Sequence, residues 1–188
     1  MLQLDFSTVP TLETDRLVLR QVTEGDLAKL HQLRSNQEAM EYLSRPRTTC
    51  EQDARDLLHE LEVSQVGGTG VTWCMSLQQE SNTLIGIIGL YRISKANHRG
   101  EVGYTLMPEH WGQGLMSEAI QSLLGFSFDQ LGFHSLEAHT DPRNQNSKRL
   151  LERNGFRFVG SFRDCLLFEG SYVSSDVYEL LKSDWKQP

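Results

Sequence analysis

The sequence predicts a mixed α/β fold in one domain, residues 1–188, built on a central and mostly antiparallel sheet with flanking helices. Three observations predict it. Alternating apolar segments follow one another across short turns between residues 72 and 106, as consecutive antiparallel strands do. An apolar run with helical spacing (Leu115, Met116, Ala119, Ile120, Leu123, Leu124, Leu131) then separates two strand-like segments, which leaves room for parallel pairing only there. The chain closes on two alternating segments joined by Glu169-Gly170-Ser171, a hairpin.

The elements follow in order. Leu12–Gln21 reads as a first strand, with Leu17 and Leu19 alternating against Val18 and Arg20. Thr23 caps a helix through about Arg34, and Thr49 with Gln52 forms a capping box for a second helix to about Gln65, broken by Gly67-Gly68-Thr69-Gly70. Strands at about Thr72–Leu77, Leu84–Arg92 and Arg99–Leu106 are separated by Glu80-Ser81-Asn82 and Lys95-Ala96-Asn97-His98. The apolar helix then runs to about Leu131, with Gly132 behind it. A strand at Ser135–Thr140, a turn at Asp141–Asn144 and a helix from Gln145 to Arg153 come next. The strands Phe156–Phe168 and Tyr172–Leu181 finish the chain.

Bulk properties remove several functional classes. The chain has 188 residues, 38% hydrophobic and 23% charged, and a formal net charge of −7. That balance argues against general nucleic-acid binding and suits a cationic acceptor such as an amine or a basic peptide. No apolar run approaches the ~20 residues of a membrane span. The first residues include Asp5 and no basic stretch, so no signal peptide is expected. The three cysteines, Cys50, Cys74 and Cys165, are scattered, as suits a reducing cytoplasm, and no spacing of cysteine or histidine suggests a metal.

The stretch Trp111-Gly112-Gln113-Gly114-Leu115-Met116 carries the chemistry. It lies after the strand Glu101–Leu106 and opens the apolar helix. Glycines there let the backbone approach a ligand, and the unpaired amides of the first turn, with the helix dipole, hold an anion. Two phosphate ligands compete. A dinucleotide would want a third glycine where Ser117 stands and a shorter loop, although Glu137 lies at a tolerable distance for a ribose. The other is the pyrophosphate of an acyl-CoA. Glu101, Gly103 and Thr105 share one strand face, and Val102, Tyr104 and Leu106 the other. Pro108 cannot donate to a ladder, so the strand should splay near Met107, and Gly103 leaves space for a ligand. Trp73, Tyr91 and Tyr104 are strand aromatics that could line an acceptor pocket, although most residues of that kind fill the core.

Three segments carry a family likeness. Glu101-Val102-Gly103-Tyr104 with Pro108 and Trp111-Gly112-Gln113-Gly114 resembles the strand and acetyl-CoA loop of GNAT-superfamily N-acetyltransferases. Asn144-Gln145-Asn146-Ser147 with Leu150 to Phe156 resembles the family's N-x-x-S and L-E-x-x-G-F segment. Leu12 to Arg20, and Asp176-Val177-Tyr178 through Trp185, resemble the RimJ/RimL-like branch of ribosomal-protein N-terminal acetyltransferases. The resemblance implies a GNAT-like fold with a splayed parallel pair, acetyl-CoA as acyl donor and no metal. It implies that backbone amides of Gly112, Gln113, Gly114, Leu115 and Met116 bind the pyrophosphate. Met107 would polarise the thioester carbonyl, Asn144 and Ser147 would contact the CoA arm, Glu101 would take the amine proton and Ser147 would serve the leaving thiolate. The implied acceptor is a protein or peptide N-terminus, a ribosomal protein among the candidates, for a cytoplasmic monomer or homodimer. The alternatives are a small-amine acetyltransferase, for a polyamine or an antibiotic, and a non-catalytic acyl-CoA sensor. Plainer readings stand beside these roles: Glu101 paired with Arg99 or a cross-strand partner, and Asn144 capping the next helix. The sequence departs from the family pattern in three places. Trp111 holds the first position of the loop, a residue common there in this branch, Met116 puts a side chain beside the pyrophosphate, and Leu151 stands where the family often has a tyrosine acid.

Overall fold

Alternating strand residues assemble into an eight-stranded sheet in the computed structural model, which describes residue 2 and residues 4–186. The strands are β1 (Leu12–Glu13), β2 (Leu17–Gln21), β3 (Val71–Leu77), β4 (Gly86–Ser94), β5 (Arg99–Leu106), β6 (Ser135–Thr140), β7 (Arg157–Phe168) and β8 (Ser171–Leu181). The helices are α1 (Leu27–Ser35), α2 (Gln37–Met40), α3 (Glu51–Gly67), α4 (Leu115–Gly125) and α5 (Gln145–Arg153). Across the sheet the order is β1-β2-β3-β4-β5-β6-β8-β7, and every neighbouring pair is antiparallel except β5 with β6. The parallel pair flanks α4, as its helical crossover requires.

Burial along β3 and β4 is nearly continuous because both faces of the sheet are covered. On β4, Ile88 and Leu90 face the core formed with α4, including Ile120, Leu123 and Phe133. Ile87 faces the opposite layer, where Leu30 and Leu33 of α1 and Leu58 of α3 pack. Among the described residues, no helix is long and apolar enough to cross a membrane.

Four local features depart from the sequence expectation for reasons the structure shows. The first strand is a small hairpin: β1 and β2 pair antiparallel at Leu12↔Leu19 and Glu13↔Val18 around a turn in which the Thr14 hydroxyl accepts from the Leu17 amide at 3.0 Å. The capping box of α3 begins one residue later than expected. Asp53 accepts from the Thr49 amide, the Thr49 hydroxyl and the Cys50 amide, whereas Gln52 turns outward to Asp56. Those bonds hold the Asp53 carboxyl at about 2. The four-residue α2, capped by Asn36 accepting from Ala39, is too short to show a periodicity. Finally, α4 ends at Gly125 and the chain continues as a π-helical turn, Phe126–Gln130, before Gly132 takes φ +75°.

Candidate active site

The glycine loop meets the demands of an anion cradle. Gly114 caps α4 at φ +78° and Gly112 has φ +73°, a left-handed region that strains any side chain. A Cβ on Gly112 would touch nothing within 4 Å, so it is the backbone conformation that calls for glycine there. The first backbone bond of α4 runs from the Glu118 amide to the Gly114 carbonyl at 3.1 Å. The amides of Leu115, Met116 and Ser117 precede it and point out of the helix end. The Met116 side chain does not crowd this end: it is 7% exposed and belongs to the core, so the departure at that position leaves the loop open.

The loop is pinned from the N-terminal hairpin. Arg16 donates to the Gln113 carbonyl at 2.9 Å, and the Glu118 carboxylate accepts from the Arg16 amide, Arg16 Nε and the Thr14 hydroxyl. Partial burial pushes the Glu118 carboxyl up, but these bonds outweigh it and leave the group below its ordinary value. A lowered carboxyl stabilises the fold above its unfolded value near 4.3 and loses that contribution as pH falls. Glu118→Gln should therefore lose about 2 kcal/mol at pH 7, and its loss relative to wild type should shrink between pH 5 and pH 3. Urea unfolding of both proteins across that range is the check; a deficit independent of pH would contradict it.

On the other side of α4, the buried Asn154 at the end of α5 accepts from Ser117 and Gln121 and donates to the Leu150 carbonyl. α4 and α5 are thus held side by side. A cleft of about 940 Å³ runs along them, with Trp111, Gly112, Gly114 and Ser117 on one wall and Asn144 and Arg153 on another. Trp111 fixes the loop to the end of β5 by donating from Nε1 to the Leu106 carbonyl at 2.8 Å. The cations Arg149 and Arg153 also border this cleft; their place beside the glycine loop depends on the packing of α5, and no motif marked them.

The parallel ladder of β5 and β6 is only three residues long: Arg99↔Ser135, Gly100↔Leu136 and Glu101↔Glu137. Beyond Glu101 the strands part, earlier than the expected splay near Met107. β5 stays with β4 to Gly86↔Leu106, and β6 stays with β8 to Thr140↔Asp176. The expected free amide of Met107 is not available, because it donates to the Ile85 carbonyl at 2.9 Å. Alternate amides of an antiparallel strand face alternate sides, so those of Tyr104 and Leu106 face the splay instead. The space over Gly103 is also taken: a Cβ there would meet the Tyr91 ring at 2.8 Å. Tyr91 is held by a hydrogen bond with Thr72 at 3.1 Å.

Asn144 caps α5, its Oδ1 accepting from the Ser147 amide at 3.0 Å, which leaves its side-chain NH₂ for a ligand. Ser147 Oγ lies 2.9 Å from the Tyr104 hydroxyl. Burial pushes the Tyr104 phenol up to about 12, against the lowering effect of Ser147. Leu151 is fully buried in the core, so the position that often bears a tyrosine contributes packing, and a tyrosine hydroxyl reaches Ser147 from β5 instead.

A second cavity of about 450 Å³ lies on the α1/α3 side and shares Tyr104, Thr105, Asn144 and Ser147 with the first. Glu101 lines this second arm. It pairs with Arg92 at 2.9 Å, not with Arg99, which binds Glu137. Arg92 sits at φ +47° within an irregularity of β4 between Tyr91 and Ser94, which turns its side chain toward β5. Glu101, Glu137 and His139 bring side-chain atoms within 4.8 Å of one another. Alternation on β6 places Glu137 and His139 on one face, but only the parallel register sets them beside Glu101.

Known proteins resemble this chain over most of its length. The acetyltransferase (GNAT) domain family matches residues 16–157. An uncharacterised N-acetyltransferase of Bacillus subtilis, YoaA, is 31% identical over 92% of this chain and 97% of its own. The ribosomal-protein-serine acetyltransferase of Escherichia coli is 30% identical over 53% of this chain and 55% of its own. The structure of spermidine N-acetyltransferase from Vibrio cholerae with CoA and spermine superposes with a TM-score of 0.79 at 24% identity, covering 91% of this chain and 98% of that one.

Proposed function

This chain belongs to the GNAT acetyltransferase family, and we propose that it moves an acetyl group from acetyl-CoA to the α-amine of a protein or peptide. One observation carries the reading: two cavity arms meet at Tyr104, Thr105, Asn144 and Ser147, with the glycine loop on one arm and Glu101 on the other. The amides of Gly112 to Met116 would hold the pyrophosphate, with Arg149 and Arg153 beside it. The pantetheine arm would enter the splay, where Asn144 meets it. The outward amides of Tyr104 and Leu106, rather than that of Met107, would meet the developing oxyanion.

The amine nitrogen attacks the thioester carbonyl carbon, the C–S bond breaks and CoA leaves as a thiolate. Glu101 takes the proton lost by the amine, directly or through a water. Ser147 donates to the thiolate, and the Tyr104 hydroxyl, protonated up to about pH 12, donates to Ser147 in turn. No covalent enzyme intermediate is invoked. Burial pushes the Cys74 thiol up to about 11, and neither Cys50 nor Cys165 borders the two arms. An α-amine with pKa ~8 is partly neutral at pH 7, whereas a lysine at ~10.4 is not, so an N-terminus asks less of the base. The relation to a ribosomal-protein-serine acetyltransferase supports the same acceptor.

The test is thiol release from acetyl-CoA with peptide acceptors, and mass spectrometry of the products. A peptide with a free α-amine should gain one acetyl group at its N-terminus, and prior α-acetylation should stop the reaction even where lysines are present. Turnover of the blocked peptide would move the acceptor to a lysine. Binding of acetyl-CoA with no transfer to any amine would mark a sensor.

A further inference from the structure

The second cavity arm holds a buried charged side chain that has no ion-pair partner among the described residues. Arg34, in the last turn of α1, lines this arm and is 8% exposed. Its Nε has no hydrogen-bond partner, and the residue takes part in no ion pair among the described residues. An unpaired guanidinium removed from water is costly, and buried charges are ordinarily paired.

The surroundings raise that cost. Arg45, from the loop after α2, lines the same arm. Burial and the like charge of Arg45 pull the Arg34 guanidinium below its usual value; Glu60 on α3 and Tyr91 act the other way without an ion pair. Arg34, Arg45, Tyr91 and Glu101 all line this arm, so the two arginines and Glu101 share one small space. The remaining ionisable side chains of the arm, tyrosines aside, are Arg92, engaged by Glu101, and His139. The lining is therefore basic, the reverse of what the net charge of −7 suggested for an acceptor.

We propose that this arm takes an acceptor that carries a carboxylate as well as its amine, with Arg34 and Arg45 holding the carboxylate and the amine turned toward Glu101. The proposal rests on the acetyltransferase reading above and narrows its acceptor. A carboxylate would give Arg34 Nε the partner it lacks and offset the repulsion by Arg45, the pairing for which a guanidinium is best shaped. A polyamine would meet the two arginines with like charge. The carboxylate has two sources, an acidic side chain close behind a peptide N-terminus or a free amino acid.

Paired acceptors test it: peptides starting Ser-Asp or Ser-Glu against Ser-Asn or Ser-Gln, free aspartate against its amide, and spermidine. The acidic member of a pair should show a KM lower by on the order of tenfold. Arg34→Met should remove that preference, and so should Arg45→Ala, whose exposed side chain makes folding safe. The KM for acetyl-CoA should stay as in the wild type for both. A preference confined to peptides identifies an acidic N-terminus, and one shown by free aspartate identifies a small molecule. Independently of turnover, succinate should raise the melting temperature of the wild type but of neither variant. Equal KM values within each pair, or spermidine as best acceptor with no response to Arg34→Met, would overturn the proposal. Should no amine be acetylated at all, the acetyltransferase reading fails, and the succinate shift alone decides the anion site: lost in both variants it stands, absent from the wild type it falls.

Discussion

Gly114→Asp is expected to abolish the thermal stabilisation by acetyl-CoA. A ligand that binds only the folded protein stabilises by about 2.7 kcal/mol at a hundredfold excess over its Kd, so loss of affinity reads directly as loss of the shift. The substitution acts twice. It forces a side chain to φ +78°, at a cost of roughly 1–2 kcal/mol. It also sets a carboxylate among the amides of Leu115, Met116 and Ser117, where the pyrophosphate would sit, and near the Arg16 guanidinium, which is 3.5 Å from the new Cβ. Gly114→Ala separates the two effects, because it keeps the strain without the charge. We expect the alanine variant to melt lower yet still respond to acetyl-CoA, and the aspartate variant to respond to no concentration tested. An undiminished shift in Gly114→Asp would place CoA elsewhere, and stabilisation by NADH alone would restore the dinucleotide reading.

The second large effect is on turnover. Glu101→Gln should lower kcat by about a hundredfold or more at pH 7 with little change in the KM for acetyl-CoA, since a general base acts in the transition state. The deficit should shrink as pH rises through ~8, where an α-amine loses its proton unaided. Stability should change little, because the Arg92 partner is 71% exposed and surface ion pairs contribute about 0–1 kcal/mol. Ser147→Ala offers the contrast: a thiol of pKa ~8.5 leaves without much help, so a loss of a few fold is expected. A Glu101→Gln enzyme with wild-type kcat at pH 7 would leave catalysis to positioning alone.

The sequence by itself determined what depends on neighbouring residues. β5, β6 and α5 lie at the boundaries read from alternation, turn residues and helical spacing. Gly112 and Gly114 were legible because a positive φ at a helix start is a demand on those residues alone. Asn144 as a cap follows from local hydrogen bonding. Tertiary structure decided whatever depends on which strand lies beside which. The Met107 amide goes to Ile85 because β4 pairs with β5 in that register, so the outward amides are those of Tyr104 and Leu106. Gly103 makes room for Tyr91, a cross-strand neighbour, where the strand pattern alone suggested a ligand. Ser147 gains its hydroxyl partner from a strand 43 residues away in sequence. Charge shows the divide most clearly. A net charge of −7 is a sum over the whole surface, whereas recognition responds to the few charges that share a desolvated space. Folding brings Arg34 and Arg45 to the wall of the same cavity as Glu101. Coulomb energy there depends on separation and local dielectric, neither of which composition contains.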